Sequence, residues 1–245
     1  MPIPKNIQWS RLSIEAAAIV GSILLAFAID AWWEDHQERE NEEEYLLSLR
    51  QELADSIEFA KENEELRRKV VEAHVSLVAQ VQGEIRATDR DLYEWISLLS
   101  YPLQYYPPRA VYNDIVALGG TNLISSAEIR ISLAELEQTI RFLEQYDESS
   151  WVVWEQRIQP FLEGRIPRVE RLRQGYARDR FDMPFGQSPH TADFDAIFAD
   201  PVFEDMIAER WLRLQNGTLA IGRVISQSRK IVDLIDAELG VGAQI

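Results

Sequence analysis

The first long apolar run in the chain is AAAIVGSILLAFAI, residues 16–29, with no charged position. Wound as a helix it spans about 21 Å, short of a hydrocarbon core of about 30 Å. Extension to Leu12 and Trp33 gives about 33 Å, enough to cross a bilayer. Residues 12–33 are therefore read as a transmembrane anchor. Glu15 and Asp30 then lie near opposite interfaces, and Trp9, Trp32 and Trp33 fall in the aromatic belts. Two other readings suit the same run. Ala26-Phe27-Ala28 resembles the cleavage site of a signal peptide, and fourteen apolar residues would also fill one helix of a soluble core. Against cleavage, Glu15 opens the apolar region and the helical pattern runs on through Trp32 and Trp33.

Beyond the anchor the apolar spacing is helical throughout. No Gly or Pro occurs between Gly21 and Gly83, so residues 34–82 read as one long helix, continuous with the anchor and stopped by Gly83. Its stripe is Leu46, Leu49, Leu53, Ile57 and Ala60, then, after a polar gap, Val70, His74, Leu77 and Val81. Thr88 with Asp91 has the form of a capping box for a short helix to Leu99. Three prolines in YPLQYYPP (101–108) exclude helix there and make a loop over a core edge or a docking loop. A helix over 109–118 meets Gly119-Gly120. Ser125 with Glu128 suggests a second capping box, opening a helix that reaches Ile158 with the stripe Ile129, Leu133, Leu136, Ile140 and Leu143, extended by Trp151 and Trp154. Residues 174–194 read as a long loop. Asp200-Pro201 then starts a helix to Leu239. Its stripe is Phe203, Ile207, Trp211, Leu214, Thr218, Ile221, Ile225, Ser228, Val232, Ile235 and Leu239, with Gly217 and Gly222 either weakening it or permitting close packing. The fold class is all-α: an N-terminal transmembrane helix, then a bundle of about three long helices with short connecting helices.

Charge fixes orientation. Lys5, Arg11 and the amino terminus precede the anchor, and EDHQERENEEE, seven acids with Arg39 alone basic, follows it. The positive-inside rule places residues 1–11 in the cytoplasm and 34–245 outside it, the disposition of a bacterial inner-membrane protein with a periplasmic domain. The net charge is −16, with 41 acidic and 25 basic residues, which disfavours nucleic acid as a partner.

Chemistry is thinly signalled. There is no cysteine, which removes disulfides and thiolate sites, and there are three dispersed histidines. No phosphate loop, GxSxG or HExxH occurs, so no enzyme and no cofactor are expected. His190, Asp193 and Asp195 read as capping residues of a short helix near Ala196 rather than metal ligands. Asn216-Gly-Thr matches a glycosylation sequon but falls within a helix. Arg165, Arg168, Arg171, Arg173, Arg178 and Arg180 form the main basic cluster. Its ordinary role is pairing with carboxylates such as those in 34–65; its functional role is holding an anionic partner, headgroup or polymer. On the anchor, Glu15, Ala18, Ser22, Ala26 and Asp30 share one third of the helix circumference, a small-residue face suited to contact with another helix.

The stretch IVGSILLAFAIDAWWEDHQERENEEEYLLSLRQELADSI resembles a broad group of uncharacterised bacterial single-pass membrane proteins. The matching positions are Gly21, Leu25, Ala26, Asp30, Trp33, Arg39, Leu46, Leu49 and Glu52. A second stretch, VYNDIVALGGTNLISSAEIRISLAELEQ, is similar to the same group at Tyr112, Gly119, Leu123, Ile124, Glu128, Ile129 and Arg130, and departs from it in carrying two glycines at 119–120. The resemblance implies a membrane-anchored helical domain and carries over no catalytic residue. The leading expectation is an interaction or scaffold protein of the cell envelope, assembling with itself or with envelope partners. The second is an oligomeric channel or accessory subunit of a transport complex.

Overall fold

One helix, α1, runs unbroken from Trp9 to Val81, 73 residues and about 110 Å long. The computed structural model describes residues 9–117, 123–176, 178–179 and 182–241, and among them there is no strand. Helix α1 ends as the glycine predicts, with Gly83 in the left-handed region at φ 75°. Helix α2 (Asp89–Leu99) opens on the full capping box: the Thr88 hydroxyl accepts from the Asp91 backbone N–H, and the Asp91 carboxylate accepts from the Thr88 N–H at 3.0 Å. After the irregular 101–108 segment come α3 (Ala110–Ala117) and α4 (Ala127–Val153).

Helix α4 does not start as its sequence suggests. Ser126, not Ser125, is the N-cap, and its side chain makes no capping bond. The Ser125 N–H donates to Glu42 of α1 at 2.6 Å, while Glu128 faces Lys230. A carboxylate from a distant turn has displaced the local one. At its other end α4 passes into a π-helical turn, Trp154–Ile158, and then α5 (Gln159–Leu162). Pro160 in a regular helix would clash with the carbonyl four residues back, and the wider turn lets the chain continue past it to Leu162. Two short helices, α6 (Arg168–Gln174) and α7 (Phe194–Phe198), flank the irregular stretch, and α8 (Pro201–Leu239) closes the chain. Asp200 caps α8 through Val202 N–H at 3.0 Å, and Gly240 ends it at φ 65°.

Helix α8 lies against both α1 and α4. Leu46, Leu49, Leu53, Ile57 and Ala60 of α1, Ile129, Leu133, Leu136, Ile140 and Leu143 of α4, and Ile221, Ile225 and Ile235 of α8 are buried in one cluster. Two neighbours require two contact lines, so α8 buries more than its heptad stripe: Met206, Arg210, Gly217, Ala220, Val224 and Ile231 are buried too, whereas Trp211, Thr218 and Val232 are only partly so. At the far end Leu77, Ile96, Leu99, Trp154, Ile158 and Phe203 form a second cluster. The 101–108 segment covers a core edge, with Leu103 and Tyr105 buried and Tyr106 outward.

Candidate functional site

Three regions concentrate unusual chemistry: the N-terminal part of α1, a buried polar layer in the domain, and the arginines around α6.

Residues 17–34 of α1 are all exposed, and no element of the described chain covers them. Ile19, Leu24, Leu25 and Phe27 are each more than 60% exposed. The reading of this run as a core helix of a soluble domain therefore fails, because the domain's own core begins only at Leu46. Glu15, Ala18, Ser22, Ala26 and Asp30 do share a face, and the Ser22 hydroxyl donates back to the Ala18 and Ile19 carbonyls at 2.8 and 2.9 Å. Trp32 stacks on His36, ring centroids 5.6 Å apart, beside Trp33; Trp9 starts the helix. From Trp33 to Leu46 the helix rises about 20 Å as a solvated acidic stalk.

Where α1, α4 and α8 meet, the polar gap in the α1 stripe is filled by Arg67, which is fully buried. Its guanidinium donates to both carboxylate oxygens of Asp147 at 2.7 and 2.5 Å and to Asn63 Oδ1 at 2.6 Å. Gly217 makes the room, since a Cβ there would lie 2.8 Å from Arg67 Nη1. His74 and Arg210 lie in the same buried interior. His74 Nδ1–H donates to the Val70 carbonyl at 2.7 Å, and burial with the nearby Arg210 charge pushes the imidazole down to about 3. Arg210 has no carboxylate partner among the described residues. It donates to Ser150 Oγ at 3.2 Å and the Tyr101 carbonyl at 3.4 Å, lies 5.9 Å from the Trp154 ring, and is lowered to about 9 by desolvation. Asp147 and Arg210 gave no signal in the sequence, because each sits in a stretch whose apolar periodicity is unbroken without it.

Comparison with known protein families, with curated proteins and with solved structures finds no match.

The two stretches that carried the resemblance come together at the end of the domain nearest the apolar part of α1. Glu52 accepts from the Val111 and Tyr112 N–H groups at 2.7 and 3.0 Å, capping α3 from α1. Ile124 and Ile129 pack in the cluster of Leu46 and Leu49, and Arg130 Nη1 holds the Ile124 and Ser125 carbonyls at 2.5 and 2.8 Å. Gly119 and Gly120 lie outside the described residues.

The arginine cluster is not one open patch. Arg165 pairs with Asp200, Arg168 with Glu163, Arg173 with Glu170, and Arg178 with Glu94 and Asp179. None of these acids comes from 34–65, as the sequence suggested. Helix α6 packs on α2, at the end of the domain away from that stretch, so the arginines find acids locally. Arg171 differs: it is 8% exposed and has no carboxylate partner among the described residues. Arg180 lies outside the described residues. Asp193 caps α7 through Ala196 N–H at 3.0 Å, and no group of three metal-ligating side chains occurs among the described residues.

Proposed function

We propose that the chain is a single-pass membrane protein in which residues 12–33 span the bilayer and a helical bundle, carried on a rigid stalk, serves as an interaction module outside the cytoplasm. The observation that carries the reading is the bare apolar length of α1. Seven large side chains from Ile19 to Ile29 are at least half exposed. At about 1.5–3 kcal/mol each, leaving them in water forgoes roughly 10–20 kcal/mol, as much as a whole domain's stability. A hydrocarbon environment recovers it, and the flanking tryptophans and the acidic run after Trp33 match the two interfaces.

The stalk gives the proposal mechanical content. Helix α1 enters the core with no intervening loop, so the domain's distance and tilt from the membrane follow the anchor's own. Charged residues 34–44 hold the domain about 15–20 Å off the surface. A rigid, acidic arm of this kind presents a partner-binding surface at fixed height. The small-residue face of Ala18, Ser22 and Ala26 is the proposed contact with a neighbouring anchor, either a second copy or an envelope partner. The resemblance to bacterial single-pass proteins agrees with this reading.

The test is fractionation of native membranes with N-terminal sequencing. The intact chain should stay with membranes through an alkaline carbonate wash and begin at Met1 or Pro2. A reporter active only outside the cytoplasm, fused after Ile245, should be active. A mature protein beginning near Ile29, or recovery in the wash, would replace the anchor with a cleaved leader.

A further inference from the structure

At the domain end away from the anchor, Ser97, Ser100 and Tyr101 of the α2 end, Trp154 and Gln159 of the π-turn region, and Arg168, Arg171, Leu172 and Tyr176 around α6 line a cleft of about 320 Å³. None of these residues is acidic, in a chain whose net charge is −16. Arg171 is more than nine-tenths buried, and its Nε has no hydrogen-bond partner. Glu163, the acid whose field favours the Arg171 charge, pairs with Arg168 at 3.6 Å instead. Behind the wall, Arg210 is buried against Trp154 and the Tyr101 carbonyl with its Nη1 unpartnered. Two buried guanidiniums without counter-charges are costly, and the cost falls when an anion occupies the space between them and solvent.

We propose that this cleft binds a small organic oxyanion, a carboxylate or phosphate on a flat apolar body. Arg171 and Arg168 hold the charged group through guanidinium N–H donors, and the Trp154, Tyr101 and Leu172 side chains receive the body. The volume lies at the lower end of small-molecule sites, which fits a single ring bearing one anionic group. Val70, Ala73 and Leu77 of α1 mark the height of α2 along the helix, about 55–65 Å beyond Trp33. Headgroups of the protein's own bilayer are out of reach at that height, which points to a soluble ligand. The site itself does not depend on α1 being in a membrane.

The test is calorimetric titration of the full chain in mild detergent with sodium phenyl phosphate, benzoate, inorganic phosphate and neutral benzamide. Phenyl phosphate or benzoate should bind at least about tenfold more tightly than benzamide, and phenyl phosphate more tightly than inorganic phosphate. Arg171→Gln should weaken the better anion by about tenfold to a hundredfold. Arg165→Gln, whose partner Asp200 lies outside the cleft, should leave affinity unchanged. Benzamide binding as well as the anions, or equal losses in Arg171→Gln and Arg165→Gln, would overturn the proposal. If Arg171→Gln does not fold, Arg168→Gln carries the test: its side chain is 62% exposed, so the fold tolerates the change, and undiminished anion affinity there rejects the site.

Discussion

Asp147→Ala is the substitution that most directly probes the buried layer. It removes the acceptors of Arg67 Nη1 and Nη2 and leaves only Asn63 Oδ1 on Nε. Arg67 is fully buried and wedged against the Gly217 turn of α8, so its charge cannot swing out to water. Stranding such a charge costs about 3–5 kcal/mol. Against a total of about 5–15 kcal/mol for an ordinary domain, that is at least about a fifth of the margin and up to all of it. The reverse change, Arg67→Met, should cost less. Asp147 borders a cleft of about 460 Å³ that it shares with Glu144, Glu148 and Trp151, so an abandoned carboxylate can take a proton or water there. The double variant Arg67→Met/Asp147→Ala should cost less than the two single changes added together, because neither charge is then left buried without its partner. Urea unfolding in mild detergent, followed by far-UV circular dichroism, gives the three stabilities and the coupling between them, expected at about 2 kcal/mol or more. A loss under about 1 kcal/mol for Asp147→Ala, or a double variant equal to the sum of the singles, would mean that the Arg67 charge is not buried away from solvent as described.

Other outcomes follow from the same packing. His74 is held neutral, its pKa near 3 against 6.5 unfolded, so the unfolded chain binds the extra proton below pH 6.5. Stability should therefore fall as pH drops from 6.5 towards 3, by about 2.5 kcal/mol at pH 4.5 from this residue, and His74→Leu should flatten that part of the pH profile; parallel profiles for the two proteins would refute the assignment. The two glycines of α8 should respond oppositely. Gly222→Ala meets only Glu64 Oε1, at 3.7 Å, and should stabilise by about 0.5–1 kcal/mol, while Gly217→Ala presses on Arg67 Nη1 and should destabilise by about 1–3 kcal/mol in thermal melts. Ile221→Asp, at a fully buried position, should cost about 3–5 kcal/mol, and an unchanged melt would deny its burial. On the proposed anchor, single cysteines at Ser22 or Ala26 should crosslink to the same segment of a neighbour more readily than one at Leu24, and equal yields at all three would rule out a specific face.

The long helices α1, α4 and α8, the short α2, α3 and α7, the caps at Thr88 and Asp200, and the stop at Gly83 were legible in the chain because each is written within one turn or one periodic stripe, whereas α5 and α6 carry no such signal. So was the length of the apolar segment, which needs nothing beyond fourteen uncharged residues and their flanks. The Ser125 cap was misread for the complementary reason: the carboxylate that takes the Ser125 N–H is Glu42, 83 residues away. The polar gap between Ala60 and Val70 looked like an interruption of the core and is instead its buried ion pair. Nothing within α1 names Asp147 as the partner of Arg67, and nothing within α8 says that Gly217 is open to admit it.

The arginines near α6 show the same division. Their number is a property of the sequence. That most are neutralised by neighbours while Arg171 is buried and unpaired was decided by how α6 sits on α2 and the π-turn. Local patterns determine which residues can form a helix and which face it must hide, since propensity and periodicity act over a few residues. Which polar groups that hidden face will tolerate depends on what the opposing helices bring to the same depth, and the tertiary structure alone assembles Arg67, Asp147 and Gly217 at one point.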